Sequence, residues 1–286
     1  MKILNGKKLA DKILARLRRT ILRQRLRLKL AAVLIGNDPA SLSFIRKKKQ
    51  ACEKIGIGFA LYQFPATISQ QKLEREVKSI AKNPAISGMI IQLPLPKSLN
   101  IDSVLNSAPL KKDVDCLGKD CREMFAAGKS KILPPVVGAV KELFQAYKIK
   151  IQGKEILIIG KGRLVGQPLI TWLSKAKETG SPSLLRVLVA DKSTQDLTGL
   201  TRQADVIITG TGKPGLISGK MIKKGAVIID VGSAKKDGKI VGDVDFESCV
   251  KKAGAVSPVP GGVGPLTVAC LLENLVELNN AKSLRS

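Results

Sequence analysis

Ser41, Phe44 and Lys48 follow one another at spacings of three and four residues, so on a helix their side chains stand in a row on one face. A hydroxyl, an aromatic plate and an amine in line make a floor for a flat heteroaromatic substrate, with a group at its edge that can carry a proton. The surrounding stretch reads as such a helix. Asp38 suits the N-cap, where its carboxylate accepts from unpaired backbone N–H groups, and Pro39 suits the first helical position, where its missing N–H costs nothing. Arg46, Lys47, Lys48 and Lys49 are consecutive, so a solvated basic face is the competing reading of the same residues.

Three other clusters could do chemistry. Gln92 opens Gln92-Leu93-Pro94-Leu95-Pro96, a rigid exit at the carboxyl end of an apolar run, and that edge of an α/β sheet is where ligands sit. Lys112-Asp113-Val114-Asp115 puts two carboxylates around one valine, which suits a metal ion, a helix cap or a grip on a polar ring. Gly160-Lys161-Gly162-Arg163-Leu164-Val165-Gly166 follows the apolar run Glu155 to Ile159 and precedes a helical pattern. Small residues there let the backbone approach a pyrophosphate, and the helix N-terminus supplies N–H donors. An ordinary strand-to-helix turn has the same outline, and the spacing G-x-G-x-x-x-G departs from the commoner fingerprint.

The elements that position these groups alternate. Residues 7–28 repeat Leu and Ile at helical intervals, and 30–35, 59–63 and 86–91 read as strands separated by helices over 39–55 and 69–82. A short helix lies near Val104, and the stretch from there through Gly128 is weakly patterned. A second series begins after Pro134-Pro135, with a helix over 137–147, strands over 155–159, 185–189, 206–209 and 226–230, and a helix over 169–175. Strand-helix alternation with short connections predicts α/β layers with parallel sheets. Asp191 after the second of these strands suits a ribose 2′-hydroxyl and hence NAD, whereas Lys161 and Lys192 suit the 2′-phosphate of NADP. Gly210-Thr211-Gly212 and Val231-Gly232 are glycine turns that let a cofactor lie across strand ends. Pro258-Val259-Pro260-Gly261-Gly262 is bent and open to ligand approach before a terminal helix striped with Val268, Leu271, Leu272 and Leu275.

Composition bounds the function. The chain has 286 residues, 44% of them hydrophobic and 25% charged, in the range of a soluble globular protein, and no run reaches membrane-spanning length. The net charge of +26 admits nucleic acid, an anionic surface or a polyanionic small molecule as partner. Only 3% of residues are aromatic and none interleave with the basic ones, so a nucleic-acid role rests on charge alone. Histidine is absent and the five cysteines form no C-x-x-C pair, which speaks against zinc sites and histidine-based triads. Such a scattered set predicts reduced thiols and a cytoplasmic protein.

Taken together, the motifs resemble the bifunctional 5,10-methylenetetrahydrofolate dehydrogenase/methenyltetrahydrofolate cyclohydrolase family over nearly the whole chain. The matching segments are Ile3 to Gly6, Asp38 to Ser41 with Lys48, Gln92 to Pro96, Lys112 to Asp115, Gly160 to Pro168, Asp230 to Gly232, Gly242 to Val244 and Pro258 to Pro265. The resemblance implies an α/β fold of two domains flanking a cleft. Residues 1–134 with a returning C-terminal helix over 264–286 would form the folate-binding catalytic domain, and residues 135–263 a Rossmann-like NAD(P)-binding domain. It implies Lys48 as the catalytic lysine, Gln92 as the glutamine that orients it and Asp115 as the aspartate that holds the pterin. Phe44, Ser41, Pro260, Gly261 and Gly262 are then candidate substrate contacts. Gly160, Lys161, Gly162, Val165, Gly166, Lys192, Thr211, Gly212 and Gly232 are candidate contacts to NADP, with NAD as the alternative, and no metal is expected. The implied partners are tetrahydrofolate derivatives, including polyglutamylated ones, and a second copy of the chain in a homodimer. A catalytically weakened folate- or nucleotide-binding relative, or a basic nucleic-acid-binding protein, is the competing function.

The chain departs from that family's pattern in identifiable places. Phe44 stands where tyrosine is usual, and Cys116 and Cys121 stand for the glycine and asparagine after the aspartate pair. Pro134-Pro135-Val136-Val137 replaces P-C-T-P, Lys161-Gly162 replaces Arg-Ser, and Asp191-Lys192 replaces His-Ser.

Overall fold

The computed structural model describes residues 1–179 and 185–280. The chain starts with β1 (Lys2–Ile3) and α1 (Gly6–Gln24), whose Leu/Ile repeat buries Ile13, Leu17 and Ile21. α1 ends short of the expected residue 28 because Arg25 enters the left-handed region at φ 52° and Leu26 N–H bonds back to the Ile21 carbonyl, closing the last turn. Then β2 (Lys29–Ile35), α2 (Pro39–Ile55), β3 (Gly58–Phe64), α3 (Gln70–Lys82) and β4 (Gly88–Ile91) alternate as expected. β2 lies between β3 and β4 in a parallel three-stranded sheet, with Leu30 opposite both Phe59 and Gly88. Its residues 30–35 are all buried, which is why it reads as an unbroken apolar run and not an alternating one.

α2 begins and ends where local chemistry puts it. The Asp38 carboxylate accepts from Ser41 N–H at 2.8 Å, Pro39 takes the first turn, and Gly56 closes the helix at φ 82°. α4 (Ile101–Asn106) and α5 (Lys119–Ala127) follow. α5 falls in the stretch that carries no clear sequence pattern. Its nine residues bury only Cys121 and Phe125, too few points to display a helical period.

The remaining elements are α6 (Pro135–Ala146), β5 (Glu155–Ile159), α7 (Gly166–Thr179), β6 (Arg186–Ala190), α8 (Leu197–Gln203), β7 (Val206–Thr209) and β8 (Val227–Asp230). After them come β9 (Ala234–Lys236), β10 (Lys239–Val241), α9 (Phe246–Val250), β11 (Ala255–Val256) and α10 (Val263–Leu278). The main sheet here has the order β1-β11-β8-β7-β5-β6 and is parallel throughout, while β9 and β10 form a separate antiparallel hairpin. β6 and β7 flank β5 on opposite sides, so the strand order reverses beside the glycine-rich turn that follows β5.

Two compact units result, Met1–Ala10 with Val136–Thr267, and Asp11–Pro135 with Val268–Ser286. They differ from the expected boundaries chiefly at the chain start. Lys2 and Ile3 pair with Ala255 and Val256 of β11, so the first ten residues group with the unit that holds the six-stranded sheet and not with the segment that follows them in sequence. The last six residues of the expected segment 264–286 lie outside the described residues.

The cysteines correct the expectation of reduced thiols throughout. Cys116 and Cys121 form a disulfide across a Cα–Cα distance of 5.1 Å, while Cys52, Cys249 and Cys270 are buried outside it. The pair escaped sequence reading because its spacing matches no metal or redox motif; the left-handed turn at Cys116, φ 54°, makes the closure. Among the described residues no helix is long and apolar enough to cross a membrane, and no group of three or more His, Cys, Asp or Glu is placed to hold a metal ion.

Candidate active site

The lysine of α2 and the glutamine after β4 meet. Lys48 Nζ donates to Gln92 Oε1 at 2.9 Å, and Gln92 Nε2 donates to the Leu93 carbonyl at 2.7 Å, which orients the amide with its oxygen toward the amine. Gln92 is buried; Lys48 is half-buried as a residue, but its ammonium sits among many protein atoms. That desolvation lowers the Lys48 pKa from the ordinary lysine value, opposed by the negative charge of Asp115. Burial pushes the Asp115 carboxyl the other way, upward, opposed by Lys48. Lys48 and Asp115 are therefore electrostatically coupled, and Gln92 joins them through its hydrogen bond to the amine.

The other two members of the row on α2 part company. Phe44 is exposed, with Lys47 Nζ 5.9 Å from its ring centroid, so the plate is open on the surface of the helix. Ser41 is buried, and its N–H and hydroxyl both serve the Asp38 cap.

Asp115 is held by its neighbours. Asp113 forms an isolated parallel bridge with Met89 of β4 and accepts from Gly118 N–H at 2.8 Å. The Val114 carbonyl accepts from Asn274 Nδ2 of α10 at 2.9 Å, and the same amide donates to the Leu133 carbonyl at 2.8 Å. Asn274 has no place among the expected site residues. Its one visible signal is a polar side chain at helical spacing within the apolar stripe Leu271, Leu272 and Leu275.

Burial pushes Asp113 up to about 6. A carboxyl whose folded-state pKa lies above its unfolded value favours the folded state while protonated, and that contribution is lost as pH rises from about 4 through about 6. Asp113→Asn keeps an oxygen for Gly118 and removes the titration. Relative to wild type, the variant should gain about 2 kcal/mol of stability between pH 4.5 and pH 7, at about 1.4 kcal/mol per pKa unit. Urea midpoints at the two pH values check this.

In the other unit the candidate cofactor residues lie at the carboxyl ends of β5, β6, β7 and β8. Gly160 has φ 100°, and a Cβ on Gly166 would fall 1.9 Å from the Gly160 carbonyl oxygen, so the turn into α7 is closed on itself. Among the described residues nothing lies within 4 Å of a Cβ built on Gly162 or Gly212, which leaves open space beside both turns. Val165 packs against Gly210. Pro260, Gly261 and Gly262 belong to this same unit, where the Gly261 carbonyl accepts from Lys7 N–H at 2.9 Å.

Two buried carboxylates tie these turns together. Asp243 accepts from Thr209 Oγ1 at 2.7 Å, Thr211 N–H at 2.6 Å and Thr211 Oγ1 at 3.0 Å, and its Oδ1 has no hydrogen-bond partner among the described residues. Asp230 accepts from the N–H groups of Gly232, Asp243 and Val244 at 2.9, 3.2 and 2.9 Å. Burial, aided by the charge of Asp243, pushes Asp230 up to about 6. A Cβ at Gly232 would lie 2.1 Å from Asp243 Oδ1, so only glycine fits there. Sequence reading saw both aspartates as parts of motifs without giving them this task.

Two family profiles cover most of the chain: the catalytic domain of tetrahydrofolate dehydrogenase/cyclohydrolase over residues 4–115, and the NAD(P)-binding domain of the same family over residues 134–283. The bifunctional protein FolD of Nautilia profundicola is 39% identical with both chains covered in full, and that of Bordetella petrii is 39% identical over 96% of this chain and 93% of its own. Among solved structures, the bifunctional methylenetetrahydrofolate dehydrogenase/cyclohydrolase FolD of Campylobacter jejuni superposes with a TM-score of 0.90 at 36% identity over 99% of each chain. The Trypanosoma brucei FolD, complexed with NADP cofactor and inhibitor, gives 0.90 at 31% identity over 99% of this chain and 98% of its own.

The chain belongs to the tetrahydrofolate dehydrogenase/cyclohydrolase family. The residues of its second half fit the dinucleotide of an NAD(P)-binding family member: a closed glycine turn, open space at Gly162 and Gly212, and the N-terminus of α7 facing that turn. At the ribose end two of the sequence signals pair with each other. Asp191 does not present a spare carboxylate, since it pairs with Lys161 Nζ at 2.9 Å and accepts from Ser193 N–H at 2.9 Å and Ser193 Oγ at 2.5 Å. The serine hydrogen bonds and the lysine hold its pKa well below the usual carboxylate range. Lys192 beside it is exposed. If Lys192 meets the 2′-phosphate, Lys192→Ala should raise KM for NADP roughly tenfold, as for the loss of one charge-assisted contact, and leave KM for NAD unchanged. Parallel initial-rate series with the two cofactors check this; equal KM values for NADP before and after the change would remove Lys192 from the 2′-phosphate site.

Proposed function

We propose that this chain oxidises 5,10-methylenetetrahydrofolate to 5,10-methenyltetrahydrofolate with NADP and then hydrolyses the product to 10-formyltetrahydrofolate. The observation that carries the reading is the Lys48–Gln92 hydrogen bond coupled to Asp115, on a chain whose relatives are named for both activities. NADP, when bound, supplies the hydride acceptor, and Gly160, Lys161, Gly162, Val165, Gly166, Lys192, Thr211, Gly212 and Gly232 would hold it. The substrate's own nitrogen lone pair stabilises the positive charge left by hydride departure, so this step needs alignment more than a strong base.

Hydrolysis needs a proton manager. Water adds to the methenyl carbon, one proton leaves the adding water, and a ring nitrogen must take a proton as its bond to that carbon breaks. A lysine serves as base only in its neutral form, and desolvation at Lys48 enlarges that fraction near neutral pH. Gln92 fixes the amine's direction, and Asp115 grips the polar edge of the pterin while Phe44 supplies a stacking face. Ser41, Pro260, Gly261 and Gly262 complete the substrate contacts in this reading.

The finer expectations belong to the same proposal: a cytoplasmic homodimer that makes the formyl donor of purine biosynthesis, with polyglutamylated folate as the physiological substrate. The charge of +26 suits such a polyanionic tail. Absorbance of purified protein with methylenetetrahydrofolate and NADP tests the activity. The methenyl chromophore should appear and then decay; no chromophore with either nicotinamide cofactor would overturn the reading.

A further inference from the structure

Asp115 has ties on both sides, and only one of them is covalent. Upstream, Asp113 is bridged to β4 and Val114 is held by Asn274. Downstream, Cys116 adopts φ 54°, a left-handed conformation that L side chains other than asparagine and aspartate rarely accept, and its sulfur is bonded to Cys121 on α5. The crosslink thus anchors the residue after Asp115 to a helix. Asp113 draws the same loop inward through Gly118 N–H, and a small pocket lined by Asp113, Gly118, Lys119, Asp120 and Cys121 borders the bond.

We infer that the Cys116–Cys121 disulfide positions Asp115, so that folate recognition by this chain depends on the thiol–disulfide state of the loop. This rests on the folate reading above and names the control of that same site. A dithiol reductant supplies the two electrons. One of its thiolates attacks a sulfur of the disulfide and the S–S bond breaks, with the released thiolate taking a proton. The second thiol of the reductant then closes its own disulfide, leaving Cys116 and Cys121 as thiols. Both half-cystines are buried, so exchange passes through local opening of the loop and is slow. With the bond gone, Cys116 no longer has a covalent restraint holding its left-handed backbone, and the loop relaxes away from the geometry that presents Asp115.

The test compares protein oxidised with oxidised glutathione and protein reduced with dithiothreitol, the bond being mapped by alkylation and mass spectrometry. Reduction should raise KM for methylenetetrahydrofolate roughly tenfold, as for one hydrogen bond to a charged group, with KM for NADP unchanged and kcat moving less. Cys121→Ser should behave as the reduced form in either buffer. Adding Cys116→Gly, which accepts φ 54° without a crosslink, should bring the folate KM back toward the oxidised value and abolish the response to dithiothreitol. Equal folate KM values in the two redox states, or alkylation of both cysteines after treatment with oxidised glutathione, would overturn the inference. If neither form turned over folate, the proposed function would fall, and amide exchange across residues 113–118 would still decide the tie. Faster exchange on reduction sustains it, and unchanged exchange overturns it.

Discussion

Lys48→Met should lower cyclohydrolase kcat by about 10²- to 10⁴-fold, the range set by loss of a positioned acid–base group, while dehydrogenase activity stays within about tenfold of wild type. Methionine keeps the length and apolar volume of the lysine stem and loses the group that moves the proton. Gln92 Oε1 loses its donor, which costs stability, but the desolvated ammonium also disappears, so the two effects on the fold oppose each other. The activities separate because hydride departure is assisted from within the substrate, whereas water addition and ring opening require proton transfers at defined atoms. The pH dependence gives a second readout. Cyclohydrolase activity in the wild type should fall as pH drops below the lowered Lys48 pKa and the amine becomes protonated, and the residual activity of the variant should lack that limb. Decay of the methenyl chromophore, measured beside its formation, checks both; equal loss of the two activities would reassign Lys48 from proton transfer to substrate binding.

Gly166→Ala should do the reverse, impairing the oxidation and sparing hydrolysis of added methenyltetrahydrofolate. The new methyl would fall 1.9 Å from the Gly160 carbonyl oxygen and 2.8 Å from both Gly160 C and Lys161 Cα, all of them backbone atoms that cannot rotate aside. The turn must open, and with it the first turn of α7, whose N–H groups would hold the pyrophosphate of a bound dinucleotide. Overpacking of this kind costs about 1–3 kcal/mol, which taken from binding alone is roughly a 5- to 150-fold rise in the dissociation constant for NADP. Trp172 is the single tryptophan and lies on α7, 6.0 Å from the Phe144 ring, so its fluorescence is the probe to follow during NADP titration. An unchanged NADP affinity would mean that the dinucleotide does not use this turn.

What the sequence determined unaided is local or periodic. Asp38-Pro39 and Gly56 bound α2 through capping chemistry carried by the residues themselves. The apolar runs at 30–35 and 155–159 read as strands, and the glycine-rich stretch from Gly160 reads as a turn before a helix. These features depend on neighbours in the chain, so they survive being read as text, and the motif series was enough to place the chain in its family.

The tertiary structure decided whatever needed two distant segments. Lys48 and Gln92 are 44 residues apart, and nothing in either stretch specifies that an amine and an amide oxygen meet at 2.9 Å. Asn274 reaches Val114 across 160 residues, and β1 pairs with β11 across the length of the chain. Lys161 and Asp191 are separate signals in the sequence, and only the adjacency of β5 and β6 brings them into one ion pair. The cysteines went the same way: Cys116 and Cys121 are close in sequence, yet only a left-handed backbone at Cys116 and the start of α5 bring their sulfurs together. Side-chain identity sets what a group can do, but burial and partner set its pKa and direction, and both come from packing between elements that the linear order keeps apart.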